Sequence, residues 1–197
     1  MTGDLPGGTV AAMTAFAHRP GTALLVVDMQ NGVVAHAHRG DEVVPTLAGL
    51  VARARAEGVP VVWVRHQDEA LVPGTPAWQL VPALVPLPGE PMLGKEYADA
   101  FEATELEEVL AAAGVGRIVV TGAATDVCVR STLHGGFARG YDTVLVSDAH
   151  TTEDTGVEGV PGPAAIIAHT NLYWSQQVAP GRVGGTAEAA DVVLGAG

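Results

Sequence analysis

Four short runs of aliphatic and β-branched residues lie along the chain, each long enough for one buried strand. They are TALLVVD at residues 22–28, VPVVWVR at 59–65, RIVVTG at 117–122 and YDTVLVSDA at 141–149. Continuous apolar runs of this kind are typical of strands that are covered on both faces. The pattern therefore predicts a sheet with helices on both sides.

Helical periodicity lies between these runs. After a polar, histidine-containing loop, Pro45 is predicted to begin a helix with one apolar face, which ends at Gly58. TELE at residues 104–107 predicts a capping box that opens a helix ending at Gly114. The remaining predicted elements are a helix through Cys128 to about Gly140, a helix from Pro163 to about Val178, and a short closing element at ADVVL, residues 190–194.

The alternation of strands and helices predicts an α/β fold. At this spacing the connections are right-handed crossovers, so we expect one doubly wound, Rossmann-like parallel sheet flanked by helices. Residues 1–19 are predicted to be a lead-in segment and residues 20–197 the single domain. Residues 66–92 contain six prolines and no sustained period. A connection of that length without its own structure is usually functional.

Composition and charge narrow the class of partner. The chain has 197 residues, 48% of them hydrophobic, and a formal net charge of −12. Nucleic acids and anionic membranes both require a basic surface, so neither is predicted as a partner. No apolar run approaches the roughly 20 residues of a spanning helix, and the N-terminal stretch carries Asp4 without an early basic residue. A single cysteine excludes an internal disulfide framework. Together these features predict a cytoplasmic protein.

In a doubly wound sheet, ligands bind at the carboxyl ends of the strands, near the point where the strand order reverses. The residues that directly follow the predicted strands are therefore the candidates for a site. They are Asp28, Gln30, His66, Asp68, residues 121–128, Asp148 and His150.

Cys128 has two interpretations. A lone cysteine is commonly a small buried hydrophobe. If Thr125 is the N-cap of the helix, however, Cys128 is its third residue, where unpaired amides and the helix dipole lower the pKa of a thiol and favour a nucleophilic thiolate. Asp28, at the end of an apolar strand, is either a loop-capping residue or a carboxylate with a partner. Lys95 is either a surface charge or the cation that pairs with both.

Metal and cofactor motifs are absent from the sequence. Seven histidines include the pair His36 and His38, and His66 lies two residues before Asp68. There is no HExxH or CxxC, and no glycine-rich phosphate loop follows a strand. We therefore predict no metal and no cofactor, with a site at His66 and Asp68 as the alternative.

Three separated segments resemble the isochorismatase-like cysteine hydrolase superfamily, which includes nicotinamidases, N-carbamoylsarcosine, ureidoacrylate and maleamate amidohydrolases, and isochorismatases. The segments are LLVVDMQNGV, GKEYADAFEATELEEVL and VVTGAATDVCVRSTLHGGFARGYDTVLVSDAHTT, and the similarity extends from about residue 20 to about residue 180. The resemblance implies a three-layer α/β/α fold and a catalytic triad of Asp28, Lys95 and Cys128. It also implies an oxyanion hole formed by the amides of Ala124 and Cys128, beside a non-proline cis peptide between Ala123 and Ala124.

The chain also departs from the family. The metal-binding pattern of nicotinamidases, an Asp-x-His after the second strand with further histidines, is not matched by VRHQDEALVPGTPAWQL. Isochorismatases proper often lack the nucleophilic cysteine, so its presence favours amide chemistry.

The resemblance predicts a hydrolase that cleaves the C–N bond of a small amide-like molecule through a thioester. The alternatives are a vinyl-ether hydrolase of isochorismatase type, in which Cys128 is incidental, and a non-catalytic or redox-responsive relative. Gln30, His66, Trp78 and Phe101 are candidate pocket residues. Only 16% of the residues are charged, and members of the superfamily usually form dimers or tetramers, so we expect a homodimer or homotetramer.

Overall fold

A computed structural model describes residues 15–195. The strands are β1 (Gly21–Val27), β2 (Val61–His66), β3 (Met92–Lys95), β4 (Val115–Ala123), β5 (Asp142–Thr151), β6 (Val178–Ala179) and β7 (Arg182–Ala187). The helices are α1 (Asn31–Val34), α2 (Gly40–Ala56), α3 (Leu106–Ala112), α4 (Arg130–Arg139) and α5 (Pro163–Trp174), and a π-helical turn (Thr125–Val129) leads into α4.

The seven strands form one sheet in the order β3-β2-β1-β4-β5-β7-β6. All neighbouring pairs are parallel except β6 with β7. From β1 the chain adds β2 and β3 on one side and then returns to add β4 and β5 on the other, so the strand order reverses between β1 and β4. The predicted doubly wound α/β fold is confirmed.

Two apolar clusters cover the two faces of the sheet. On one face α2 packs its predicted stripe, which includes Leu47, Leu50 and Val51, against the strands. On the other face Leu110 of α3, Leu133 of α4 and Trp174 of α5 pack against the alternate side chains of the same strands. Because both faces are buried, the central strands are continuous apolar runs, as the sequence indicated.

Helix α2 begins at Gly40 rather than at Pro45, so the predicted start was wrong. Asp41 and Glu42 in the first turn complement the positive end of the helix dipole. Val43, one turn before Leu47, continues the buried face. Pro45 therefore lies in the second turn of the helix, where it removes one backbone hydrogen bond.

The capping box before α3 was also wrong. Thr104 Oγ1 does accept the N–H of Leu106 at 3.2 Å. The Glu107 carboxylate, however, does not return to the start of the helix, because it accepts hydrogen bonds from Arg19 and Tyr141. Glu107 therefore ties α3 to residues that are distant in sequence.

Several other elements differ from the prediction. β3 and β7 were not predicted, because one has only four residues and the other, RVGGTA, carries two glycines in place of apolar side chains. Helix α5 ends at Trp174, and β6 occupies Val178. The segment ADVVL forms no strand, but Val192 and Leu194 are buried against the α2 face.

Residues 67–91 contain turns and one isolated bridge, between Gln30 and Leu80, in place of a helix or strand. Of the predicted lead-in segment, residues 1–14 lie outside the described part of the chain. The division at residue 19 stays a prediction. Within residues 15–195 no helix has both the length and the apolar character needed to cross a membrane.

Candidate active site

The candidate site lies at the carboxyl ends of β1, β2, β3 and β4, where the strand order reverses. Val27, the last residue of β1, pairs with Val64 on one side and with Gly122 on the other. Asp28 follows it directly, and His66 and Lys95 pair with each other at the ends of β2 and β3. The parallel register thus brings these side chains to one edge of the sheet.

Lys95 is at the centre of the cluster. Its Nζ lies 2.6 Å from Asp28 Oδ2, 3.2 Å from Cys128 Sγ and 3.2 Å from His66 Nδ1. The Lys95 side chain is 0% exposed and that of Asp28 is 2% exposed. An ammonium has three N–H donors, and here it faces three acceptors. The surface-charge interpretation of Lys95 is therefore wrong.

The contact with Lys95 fixes the tautomer of His66. An ammonium only donates, so His66 Nδ1 accepts and the ring proton resides on Nε2. Nε2 points to Asp68 Oδ2 at 3.4 Å. Asp68 is itself held by the amides of Ala70 and Leu71 through its other oxygen. His66 thus connects the loop after β2 to the buried ammonium.

Burial acts on the two acidic groups of the cluster in the same direction. It raises the pKa of the Asp28 carboxyl, while the positive charge of Lys95 opposes the shift. Burial raises the pKa of the Cys128 thiol to about 12, and the charge of Asp28 adds to the effect. The resting sulfur is therefore protonated. The expected low pKa at a helix start was wrong, because desolvation of a cysteine that is 9% exposed and the negative charge of Asp28 both raise it.

The π-helical turn that carries Cys128 begins one residue earlier than predicted. Its N-cap is Ala124, so Thr125 is the first residue and Cys128 the fourth. The Thr125 hydroxyl makes no capping hydrogen bond and instead contacts His150. The peptide bond between Ala123 and Ala124 is cis, as the resemblance implied.

Gly122 allows β4 to approach β1 at this edge. Its φ is +115°, and a Cβ atom there would lie 2.0 Å from the carbonyl oxygen of Val27. Only glycine fits both conditions. The residue is therefore required to bring the turn with Cys128 beside Asp28.

The other three candidate pocket residues are held by the surrounding structure. Gln30 is fully buried, donates to the carbonyl oxygens of His66 and Trp78 and accepts the N–H of His66. The guanidinium of Arg65 stacks over Trp78, with Arg65 Cζ 3.5 Å from the centroid of the Trp78 ring. Phe101 is 7% exposed and packs in the core near Tyr141. Gln30 therefore fixes the loops that begin at His66 and pass through Trp78.

An open cavity of about 460 Å³ lies among the segments that follow β2 and β3. Gln67 and Glu96, which line it, directly follow His66 and Lys95. Asp68, Glu69 and Pro73 complete its lining. Its lining is acidic and does not include Asp28, His66, Lys95 or Cys128.

One signal for Lys95 was present in the sequence but was not used. Lys95 is the only lysine in the chain, since the other nine of its ten basic residues are arginines. A chain that uses arginine at every other basic position has a chemical reason for one lysine, because the compact ammonium fits where a planar guanidinium does not.

Donor atoms of Asp28, His66 and Cys128 lie within 4.8 Å of one another, as in a metal site. The ammonium of Lys95 contacts all three residues and already supplies the positive charge among them. This cluster differs from the pair His66 and Asp68 that the sequence offered as a metal alternative.

The isochorismatase domain model matches residues 22–157. A ureidoacrylate amidohydrolase of Methylobacterium radiotolerans is 34% identical over 200 residues, which cover 80% of this chain and 77% of that protein. A streptothricin hydrolase of Streptomyces noursei is 37% identical over 164 residues, which cover 79% of this chain and 64% of that protein.

Solved structures with a similar fold have names that point to the same family. An isochorismatase of Pseudomonas putida superposes with a TM-score of 0.79 at 27% identity, covering 96% of this chain and 94% of that one. An isochorismatase family protein of Burkholderia thailandensis gives a TM-score of 0.68 at 32% identity, covering 88% and 94%.

Proposed function

The chain belongs to the isochorismatase family, and we propose that within it the chain is an amidohydrolase that uses Cys128 to cleave the C–N bond of a small amide, carbamoyl or ureido compound. The observation that carries this proposal is the position of Lys95 Nζ, 2.6 Å from Asp28 Oδ2 and 3.2 Å from Cys128 Sγ. A base, a cation and a nucleophile thus meet in one buried cluster.

In the first half of the reaction the Asp28 carboxylate takes the thiol proton while Sγ attacks the carbonyl carbon. The raised pKa of Asp28 makes it a stronger base than an exposed carboxylate. The sulfur, whose pKa is about 12, is ionised only as it attacks, with Lys95 stabilising the negative charge that develops. The amides of Ala124 and Cys128 are the proposed donors to the oxyanion.

In the second half the tetrahedral intermediate collapses and the C–N bond breaks. Asp28 returns its proton to the leaving nitrogen, so ammonia or an amine departs and the acyl group remains on sulfur as a thioester. Water, deprotonated by Asp28, then attacks the thioester carbonyl. The C–S bond breaks, the proton returns to sulfur, and the product acid leaves the regenerated thiol.

The relatives narrow the range of substrates to be tested. Their names refer to ureidoacrylate, the substrate of an amidohydrolase, and to streptothricin, the substrate of a hydrolase. The direct test is a screen of these two and of simple carbamoyl and amide compounds, with release of ammonia or amine as the readout. The Cys128→Ala variant is the control. Hydrolysis of isochorismate by the wild type and by Cys128→Ala alike, with no C–N substrate cleaved, would contradict the proposal.

The other features of the chain agree with a small-molecule substrate. A net charge of −12 disfavours nucleic acid or an anionic membrane as the partner. The cytoplasm is the proposed location, because a catalytic thiol needs a reducing compartment.

A further inference from the structure

His150, near the end of β5, links the turn that carries Cys128 to helix α5. It is 2% exposed. Its Nδ1 lies 2.8 Å from Thr125 Oγ1, and its Nε2 lies 3.0 Å from Asn171 Oδ1. Both nitrogens of a buried imidazole are therefore engaged, one by the first residue of the π-helical turn and the other by a residue of α5.

The donor and acceptor of each hydrogen bond can be assigned by starting from Asn171. Asn171 Nδ2 donates to the carbonyl oxygen of Ser147 at 3.1 Å, so Oδ1 of the same amide is the acceptor that faces His150. His150 Nε2 consequently carries the ring proton. Burial lowers the pKa of His150, so the ring is neutral and Nδ1 accepts. The Thr125 hydroxyl must then donate to it.

The same end of β5 holds the turn at further points. Gly122 and Ala123 pair with His150 and Thr151 in the sheet. The hydroxyl of Thr152 donates to Asp126 Oδ1 at 2.7 Å. His150 and Thr151 of β5, with Thr152 directly after it, therefore hold the segment before Cys128 at Gly122, Ala123, Thr125 and Asp126. Cys128 lies two positions beyond the last of these residues.

We propose that His150 is a positioning residue for the nucleophile: as a neutral acceptor oriented by Asn171, it holds the Thr125 hydroxyl and thereby fixes the turn that presents Cys128 Sγ and the amides of Ala124 and Cys128. This inference rests on the proposed function. In the proposed reaction, His150 contacts no reacting atom. Its effect is on the geometry of attack, where a displacement of about 1 Å costs about a hundredfold in rate.

The first test compares two buried threonines that differ in one respect. Thr125 is 0% exposed and bonded to His150, whereas Thr143, on β5 and also 0% exposed, has no hydrogen-bond partner for its hydroxyl among the described residues. Thr125→Val and Thr143→Val make the same chemical change. Thr125→Ser keeps the hydroxyl and removes a methyl group.

The readout is the pre-steady-state burst of p-nitrophenolate when excess p-nitrophenyl acetate acylates Cys128, followed over a range of ester concentrations. We expect the limiting rate to fall about tenfold or more in Thr125→Val with little change in the half-saturating concentration. Thr125→Ser is expected to stay within about threefold of wild type and Thr143→Val to match it. The circular dichroism spectrum of each variant establishes that it is folded.

A second pair of variants tests His150 itself. In His150→Asn the amide oxygen lies near the position of Nδ1 and can still accept from Thr125. In His150→Gln the amide reaches the position of Nε2 and can contact only Asn171. We expect His150→Gln to lose about tenfold in the limiting rate and His150→Asn to lose less. Adding Thr125→Val to His150→Gln should cost little more, since both remove the same hydrogen bond.

The outcomes separate the two proposals. If wild type shows the burst and Thr125→Val behaves like Thr143→Val, the positioning role is wrong and the proposed function stands. Equal losses in Thr125→Ser and Thr125→Val, or additive losses in the double variant, would also overturn the role of the hydroxyl. A wild-type protein that shows no acylation of Cys128 would overturn the proposed function and this inference with it.

Discussion

The ammonium of Lys95 lies 2.6 Å from the carboxylate of Asp28, and both side chains are withdrawn from solvent. A buried ion pair stabilises a protein only when its remaining hydrogen-bonding groups are also satisfied. Lys95 meets its part of that condition through His66 Nδ1 and Cys128 Sγ, both 3.2 Å away. Asp28 Oδ1, in contrast, is buried without a hydrogen-bond partner among the described residues. One side chain from the edge strand of the core sheet therefore connects the ends of β1, β2 and the turn after β4.

Replacing Lys95 tests this arrangement. In Lys95→Met the Asp28 carboxylate loses its cation, and we expect turnover to fall by about a hundredfold or more and the free energy of unfolding to drop by about 3 kcal/mol. Lys95→Arg should not restore turnover, because a planar guanidinium cannot replace a compact ammonium among three close acceptors. The measurements are the steady-state rate and urea unfolding.

Arg117→Met is the matched control, since Arg117 lies at the opposite end of β4, where it donates to the carbonyl oxygen of Val193. We expect its turnover to equal that of wild type. Near-normal turnover in Lys95→Met would remove the lysine from the mechanism.

The reactivity of Cys128 towards iodoacetamide should depend on pH as expected for a buried, protonated thiol. Burial raises its pKa to about 12, so the thiolate fraction at pH 7 is very small and increases about tenfold per pH unit. We expect the alkylation rate of the folded protein to rise steadily from pH 7 to pH 10. The urea-unfolded chain should level off above about pH 8.5. A plateau near that pH in the folded protein would contradict the assignment.

Catalysis is expected to need no metal ion. Lys95 already contacts the three groups, on Asp28, His66 and Cys128, that would be the ligands. Dialysis against EDTA and then against 1,10-phenanthroline, at about millimolar concentration (far above any bound metal), should leave the rate unchanged, and added zinc should not increase it. A rate lost on chelation and restored by zinc, manganese or iron would contradict this expectation and assign the cluster to a metal.

The sequence predicted the parts of this site that depend on local pattern. The ends of the apolar runs gave Asp28 and the region of Cys128, and the family resemblance supplied Lys95 as their partner. The contact between His66 and Lys95 could not be predicted, because it depends on the register between β2 and the four-residue strand β3, which has no recognisable pattern of its own.

The pKa of Cys128 shows a second limit of local reasoning. The start of a helix indicated a lowered value, but the thiol belongs to the apolar cluster formed by α3, α4 and α5. Burial by elements distant in sequence determines the direction of the shift, and no window around residue 128 contains that information. The role of Thr125 was missed for the same reason, since His150 competes for the hydroxyl that would cap the helix.

The chain is expected to associate with itself. Large apolar side chains remain exposed on the loop before α5, on α5 and after it, among them Val157, Leu172 and Val178, and a second copy would cover part of this surface. Sedimentation velocity at micromolar concentration should give a mass two or four times the 20.1 kDa of the chain. A single species of about 20 kDa, the mass of one chain, would show a monomer and contradict this prediction.

The thioester at Cys128 is the central claim, and trapping it is the most direct test. The wild type, mixed with whichever substrate releases ammonia or amine and quenched in acid within the first turnover, should gain the mass of the acyl group at Cys128. Cys128→Ala should gain no mass and should turn over at least about a thousandfold more slowly. An unmodified cysteine throughout turnover, together with near-normal activity of Cys128→Ala, would contradict covalent catalysis.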